Sequence, residues 1–423
     1  MSDLHPDTTL ATLPNGVRVV ALRLPHLQSA SVSVFVRSGS AHESRPLNGV
    51  SHVIEHMMFK GTATRDCRRI NLDAERLGAE VNAHTDKDHT AFHMRGLGRH
   101  AVLFVRMLGD IVRNASFPED EFERERQVLL HEYTEDDEDP VSEAFRLFDR
   151  ACWGWHPLAQ PVIGSRGNIE RFSRADLVGH VARQYSGTNL VVGAAGHVDP
   201  DEIVREVEAA FGSMAPGAPN LIAAPTWIGG LKTRQLPGSS QTHAVVGYPI
   251  APLQHEDPAS ALAAAMFGEG MNSPLLDQLR ERRGLVYHAA CSADVVDQGG
   301  QFVIEVSTSP EQLDECLTQL MRLLAEQAAG VDAVDLERAR NQLSVRRLRD
   351  DENAGRRLET AALDLLVRGA LRPPGEWAGR LAAVTADEVR SVFQRLLQAG
   401  AAAALTGSVG RGVAARSRAT LGL

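Results

Sequence analysis

Residues 50–59 read Val50-Ser51-His52-Val53-Ile54-Glu55-His56-Met57-Met58-Phe59. The apolar positions recur at helical spacing, and a helix over 48–59 puts His52 and His56, an i, i+4 pair, on one face. Two neutral imidazoles from one helical turn can both reach a zinc ion at about 2.0–2.1 Å. Glu55 flanks the same face, where it can act on a metal-bound water without being a ligand. The order H-x-x-E-H is the inverse of the zinc-binding order H-E-x-x-H. Two histidines and a glutamate on an otherwise apolar helix need partners to offset their burial, and a metal ion is such a partner.

A catalytic zinc usually takes three protein ligands and keeps one position open. His84, His89, His93, His131 and Glu132 are candidates for the third, and pattern alone does not choose among them. Glu125 and Glu132 lie seven residues apart on a helix expected over 118–133, so they share a face.

Working outward, Asn15-Gly16 between apolar runs is a hairpin-turn signal. Residues 29–36 alternate, with Val32, Val34 and Val36 on one face of a strand. Residues 79–94 read as a strand pair around Asp86-Lys87-Asp88, and 99–114 as a helix. Ser173-x-x-Asp176 opens another helix as a variant capping box, ahead of a short strand over 189–195. The segment 215–230 holds Pro216, Pro219, Pro225, Gly229 and Gly230 and reads as a linker.

Beyond it the order of elements repeats. A strand is expected over 242–249, a helix over 258–267, two strands over 287–306 and two helices from 311 to 350. The helix capped by Thr385-x-x-Glu388 leads into a strand over 401–405. Ser173 and Thr385 are 212 residues apart, and Met58-Phe59 and Met266-Phe267 are 208 apart. Offsets near half the chain length indicate a duplicated α+β domain. The expected division is a catalytic domain over 1–215, a linker over 216–230 and a second homologous domain over 231–423. The second copy has no His or Glu where the first has its motif.

The chain has 423 residues, 43% of them hydrophobic, and a net charge of −10. That suffices for two domains at roughly 100–200 residues each, and the acidic balance argues against nucleic acid as a partner. Cys67, Cys152, Cys291 and Cys316 form no C-x-x-C pair, which argues against a disulfide framework or a thiolate zinc site. No N-terminal apolar segment reads as a signal peptide, and no run of about 18 apolar residues reads as a membrane span. A cytoplasmic location is the expectation.

Several stretches together resemble the pitrilysin or insulinase metallopeptidases, in the short branch of bacterial processing-type peptidases. They are 13–17 (Leu-Pro-Asn-Gly-Val), 52–62 from His52 to Thr62, 78–83 (Gly-Ala-Glu-Val-Asn-Ala), 125–132 from Glu125 to Glu132, Asp139-Pro140, and 280–287 from Arg280 to Tyr287. The resemblance spans nearly the whole chain. It implies an α+β fold of two homologous domains, each a mixed, mostly antiparallel sheet packed with helices, as in LuxS and the mitochondrial processing peptidase. It implies a zinc endopeptidase with one Zn2+ per chain, held by His52, His56 and Glu132. Glu55 would be the general base acting on a zinc-bound water, and Glu125 a supporting carboxylate. Asn82 and Ala83 would lie on the edge strand that holds the peptide substrate. Arg280 and Tyr287 would reach over from the second domain to bind substrate and assist catalysis.

Related enzymes in mitochondria recognise a substrate arginine with acidic residues ten and fourteen positions past the ligand Glu. Here those positions are Ser142 and Arg146, with Glu143 one step off register, so a strict arginine preference is not expected. The acidic run 135–139 reads as a solvated loop. Some relatives divide the zinc motif and the Arg/Tyr segment between two chains. This chain carries both, so a homodimer, or a heterodimer with a related chain, enclosing a chamber for short or unfolded peptides is the natural expectation. A non-catalytic peptide-binding or structural subunit is the alternative.

Overall fold

The computed structural model describes residues 7–423. Its strands form two sheets, of six and five strands. In the first, β1 (Thr8–Thr12), β2 (Arg18–Arg23), β3 (Ser29–Val36), β4 (Glu80–Thr85), β5 (Thr90–Leu97) and β6 (Leu190–Gly196) are ordered β1-β2-β6-β3-β5-β4. In the second, β7 (Gly230–Gln235), β8 (Thr242–Pro249), β9 (His288–Val296), β10 (Gly299–Thr308) and β11 (Ala402–Gly407) are ordered β7-β11-β8-β10-β9. Apart from β1, the two orders are the same in chain sequence. Each begins with a parallel pair, β2 with β6 and β7 with β11, and is antiparallel thereafter. The duplication expected from the repeated caps is thus a duplication of topology.

The first sheet buries Val32, Val34, Val36, Phe92 and Met94 against helices α1 (Val50–Met58) and α2 (Ala101–Asn114). Helix α3 (Glu119–Glu138) follows and buries Phe122 and Leu129 in the same core. It runs past the expected end near residue 133. The second sheet has its own core, in which the helix Pro258–Gly268, apolar but for Ser260, is buried at every position but Ala261. Capping boxes form at Ser173 and Thr385, each with the N-cap hydroxyl accepting from the N3 amide.

The chain forms two compact units, each drawn from several stretches of the sequence. One comprises the described residues up to Tyr133 with Pro161–Ile222 and Leu348–Pro374; the other comprises Thr134–Gln160, Ala223–Arg347 and Gly375–Leu423. Helix α4 (Pro140–Trp153), from the first half of the sequence, packs on β7, β8 and β11. Helix α5 (Ala354–Leu363), from the second half, packs on β2, β3 and β6. Both follow a 20-residue helix, α3 in one half and Ala333–Glu352 in the other. Gly193 on β6 permits the close approach of α5, since a Cβ there would collide with Leu358 and Val20.

The expected strand with Val32, Val34 and Val36 on one face is β3. Its other face is buried as well, with Ser31 and Ser33 5% and 2% exposed. The expected solvated loop over 135–139 is corrected. Residues 135–138 are helical, and Asp139 caps α4 by accepting from the Ser142 amide.

Candidate metal centre

Helix α1 is anchored at its start by a carboxyl from outside the helix. Glu43 accepts hydrogen bonds from the backbone N–H of Gly49 and of Ser51, both 2.7 Å, and from Asn48 Nδ2 at 3.0 Å. These satisfy amides that a helix N-terminus leaves open. Val50, Val53, Ile54, Met57 and Met58 face the core. That stripe turns His52, Glu55 and His56 to the opposite, partly exposed side.

His52 Nε2 lies 3.9 Å and His56 Nε2 3.6 Å from Glu132 Oε2. The two rings meet edge to face, with centroids 4.7 Å apart. Two ligands of a tetrahedral zinc, each about 2.0–2.1 Å from the ion, stand about 3.3 Å apart. Small side-chain adjustments therefore bring these three atoms to zinc distance. The donor set, two imidazoles and one carboxylate, is also that of a catalytic zinc site with an open position. Zinc fits these residues.

The surroundings favour a cation. Burial, and then the neighbouring His56, pushes the His52 imidazole down to about 4, so it is neutral and free to ligate at pH 7. Burial also opposes charge on His56, but its hydrogen bond to Glu125 and the nearby Glu132 and Glu55 carboxylates outweigh that and raise it. His56 Nδ1 donates to Glu125 Oε2 at 3.1 Å, leaving Nε2 directed at Glu132. A carboxylate holding the far nitrogen of a metal-binding imidazole fixes its tautomer and orientation. Lys60 Nζ lies 2.5 Å from the other Glu125 oxygen. Burial pushes the Glu125 carboxyl up, but the hydrogen bonds from His56 and Lys60 prevail and hold it below the usual range. His52 Nδ1 is buried without a comparable partner among the described residues.

Glu55 is shifted the other way. Burial raises its carboxyl, partly offset by hydrogen bonds from the Thr85 hydroxyl and amide. Those bonds tie the candidate base to β4, which is the edge of its sheet. The Asp86 amide donates to His89 O at 2.8 Å, so by antiparallel alternation Asn82 and His84 bond inward to β5. The main-chain groups of Val81, Ala83 and Thr85 therefore face outward. The Ala83 amide is covered by its neighbour's side chain, Asn82 Oδ1, at 2.9 Å.

Of the other third-ligand candidates, His131 is exposed beside Glu132 on α3. His84, His89 and His93 form a separate cluster with one another. Arg280 lies in a short π-helical turn, Asp277–Glu281, and Tyr287 immediately precedes β9 in the second unit. Tyr287 is 61% exposed, so it is not a packed strand aromatic. Glu143 is buried, with its carboxylate 2.6 Å from Arg146 Nη2 and 2.9 Å from Arg234 Nη1.

Comparison with known proteins agrees with this picture. A family model described as insulinase (peptidase family M16) matches residues 18–166, and one described as the peptidase M16 inactive domain matches 171–343. An uncharacterized zinc protease of Mycobacterium tuberculosis is 31% identical over 94% of this chain and 93% of its own length. One of Rickettsia felis is 26% identical over 94% and 97%. The crystal structure of a protease from Helicobacter pylori has the same fold, with a TM-score of 0.86 and 20% identity, covering 95% of this chain and all of the other. With two family models matching over residues 18–343 and relatives matched over nearly their full length, this chain belongs to the insulinase (M16) peptidase family.

Proposed function

We propose that this chain is a zinc-dependent endopeptidase acting on short or unfolded peptides. The observation that carries this reading is the convergence of His52, His56 and Glu132 beside Glu55, itself hydrogen-bonded to an edge strand with outward-facing main chain. His52, His56 and Glu132 would hold one Zn2+, which when bound supplies Lewis acidity toward water and a carbonyl oxygen.

The chain's own residues supply the rest. An extended peptide pairs with Val81 and Ala83, displacing Asn82 Oδ1 from the Ala83 amide, while the Thr85 amide stays on Glu55. Backbone pairing of this kind gives affinity with little sequence dependence. Glu55 takes a proton from the attacking water, whose oxygen adds to the scissile carbonyl carbon. As the C–N bond breaks, Glu55 returns the proton to the leaving amine. Its raised carboxyl suits both halves of that transfer. Glu125 keeps His56 oriented. Tyr287 is proposed as a donor to the developing oxyanion and Arg280 as a substrate-binding group, both on the sequence resemblance. We further assign it to the cytoplasm as a homodimer or as one half of a heterodimer with a related chain.

A second reading, a peptide-binding or structural subunit without catalysis, draws on the match of residues 171–343 to a family model described as inactive. Digestion of unfolded casein and a quenched peptide library separates the two. Endopeptidase action predicts cleavage that stops on chelation, returns with zinc, and falls when substrate amides near the cut are N-methylated. Stoichiometric zinc and peptide binding with no cleavage of any substrate would favour the second reading.

A further inference from the structure

On the face of the first sheet opposite α1, three histidines gather where only polar neighbours would be needed. His84 Nε2 lies 3.2 Å from His89 Nε2, and His84 Nδ1 lies 3.1 Å from His93 Nε2. Glu359, on α5, brings Oε1 to 3.8 Å from His84 Nε2. The ligand atoms of His84, His89 and Glu359 all lie within 4.8 Å of one another. None belongs to the His52 centre. The strand alternation that sends Ala83 and Thr85 toward α1 sends His84 to the other side.

We propose that His84, His89 and Glu359 form a second metal site, for a borderline divalent transition ion such as Zn2+ or Co2+. Two imidazoles and one carboxylate are the ligand chemistry these ions take. Each imidazole is held from behind, as metal-binding histidines are. His89 Nδ1 donates to Asp88 Oδ1 at 2.7 Å, and both residues are buried, so His89 Nε2 presents its lone pair to the site. His84 Nδ1 donates to His93 Nε2, and His93 Nδ1 donates to Ser33 Oγ at 2.7 Å, which leaves His84 Nε2 free to ligate. Arg356 Nη1 sits 3.5 Å from Glu359 Oε2, leaving Oε1 for the metal. A cavity of about 470 Å3, lined in part by His84, His93 and Glu359, has room for solvent as a further ligand.

The two Nε2 atoms of His84 and His89 face each other at hydrogen-bond distance, so without a metal one of them must carry a proton between them. A metal ion replaces that proton and ties α5 to β4 and β5. The site would thus fasten a helix from the second half of the sequence onto the strand pair that includes the edge strand. This inference does not depend on the chain being a peptidase.

The test is metal content and Co2+ absorption of the untagged full chain after equilibrium dialysis. Wild type should bind two equivalents of Zn2+ or Co2+. His52→Ala/His56→Ala should retain one, with the visible bands of a low-coordinate Co2+ site. Adding His84→Ala, a half-exposed position, or Glu359→Ala should weaken that remaining site by more than the 10–100-fold typical of losing an outer-shell partner. Asp88→Asn should weaken it within that range. Native far-UV circular dichroism of each variant keeps the comparison free of unfolding. Failure of the folded His52→Ala/His56→Ala protein to bind any Co2+ at tens of micromolar would overturn the proposal. So would binding that is indifferent to His84 and Glu359.

Discussion

His56 Nδ1 donates to Glu125 Oε2 at 3.1 Å, and Glu125 precedes Glu132 by two turns of the same helix, α3. One helix therefore supplies both a carboxylate facing the metal position and the carboxylate that aims the imidazole. Glu125→Gln should lower zinc affinity 10–100-fold without abolishing binding. Competition with a chelator of known affinity measures this. Unchanged affinity would mean that His56 is oriented by something else.

The anchor of α1 is equally specific. Glu43→Ala removes the acceptor for Asn48 Nδ2 and for the Gly49 and Ser51 amides, in a buried setting. Leaving such donors unpaired costs about 1–3 kcal/mol each. A loss on the order of 3–5 kcal/mol in urea unfolding is expected, with weaker zinc binding because His52 sits in the freed first turn. A change below about 1 kcal/mol would contradict this account of how the helix is held.

Acid should destabilise the metal-free protein. Burial, followed by neighbouring cations and histidines, holds His180 down to about 3. Burial likewise holds His42 down to about 4, against some help from Asp88. The unfolded chain binds protons at these imidazoles more readily than the fold does. Their contribution is complete above about 6.5 and is lost as pH falls toward 3–4. Glu43, pushed up by burial to about 7, works the other way, gaining stability as pH falls from about 7 to 4.5. His52, at about 4, and His93, which burial and then its neighbours His84 and His89 hold down to about 3, add to the loss, so the depressed imidazoles outnumber that one carboxyl. Urea unfolding between pH 6.5 and 4.5 should show stability falling by at least one proton's worth, about 1.4 kcal/mol per pH unit. A flat profile would contradict the assignment.

Cleavage should show no strict preference for arginine. The carboxylate of Glu143, the acidic residue nearest the positions used for arginine in related enzymes, is committed to Arg146 and Arg234. Arg146 also reaches Asp136 and Asp137. Peptide-library profiling should find arginine substrates cut within a few-fold of their alanine counterparts. Arg234→Ala should shift the profile toward arginine by releasing part of that negative charge. A hundred-fold arginine preference in the wild type would refute this reading of Glu143.

Much of this architecture was legible in the sequence because its signals are local. The i, i+4 histidines sit on a helix because the apolar residues between them repeat at that period, and the caps at Ser173 and Thr385 marked the duplication. The exchange of α4 and α5 was not legible. Nothing local to Ser31, Ser33, His93 and Arg95 on β3 and β5 says that a helix from the second half of the sequence covers them. The same non-local contact hid the role of His84, which alternation alone would have put on the face away from Ala83. Glu132 emerged from the family resemblance, since a ligand 76 residues beyond His56 leaves no spacing rule to read.

The most direct test pairs wild type with Glu55→Gln. Both are purified, their zinc per chain is measured, and both are assayed against the same quenched peptide library. With one equivalent at the His52 centre in each protein, the account predicts cleavage by wild type and a loss of at least about 100-fold in Glu55→Gln, the low end for a positioned acid–base. Full activity in zinc-loaded Glu55→Gln, or no zinc at His52, His56 and Glu132 in either protein, would contradict it.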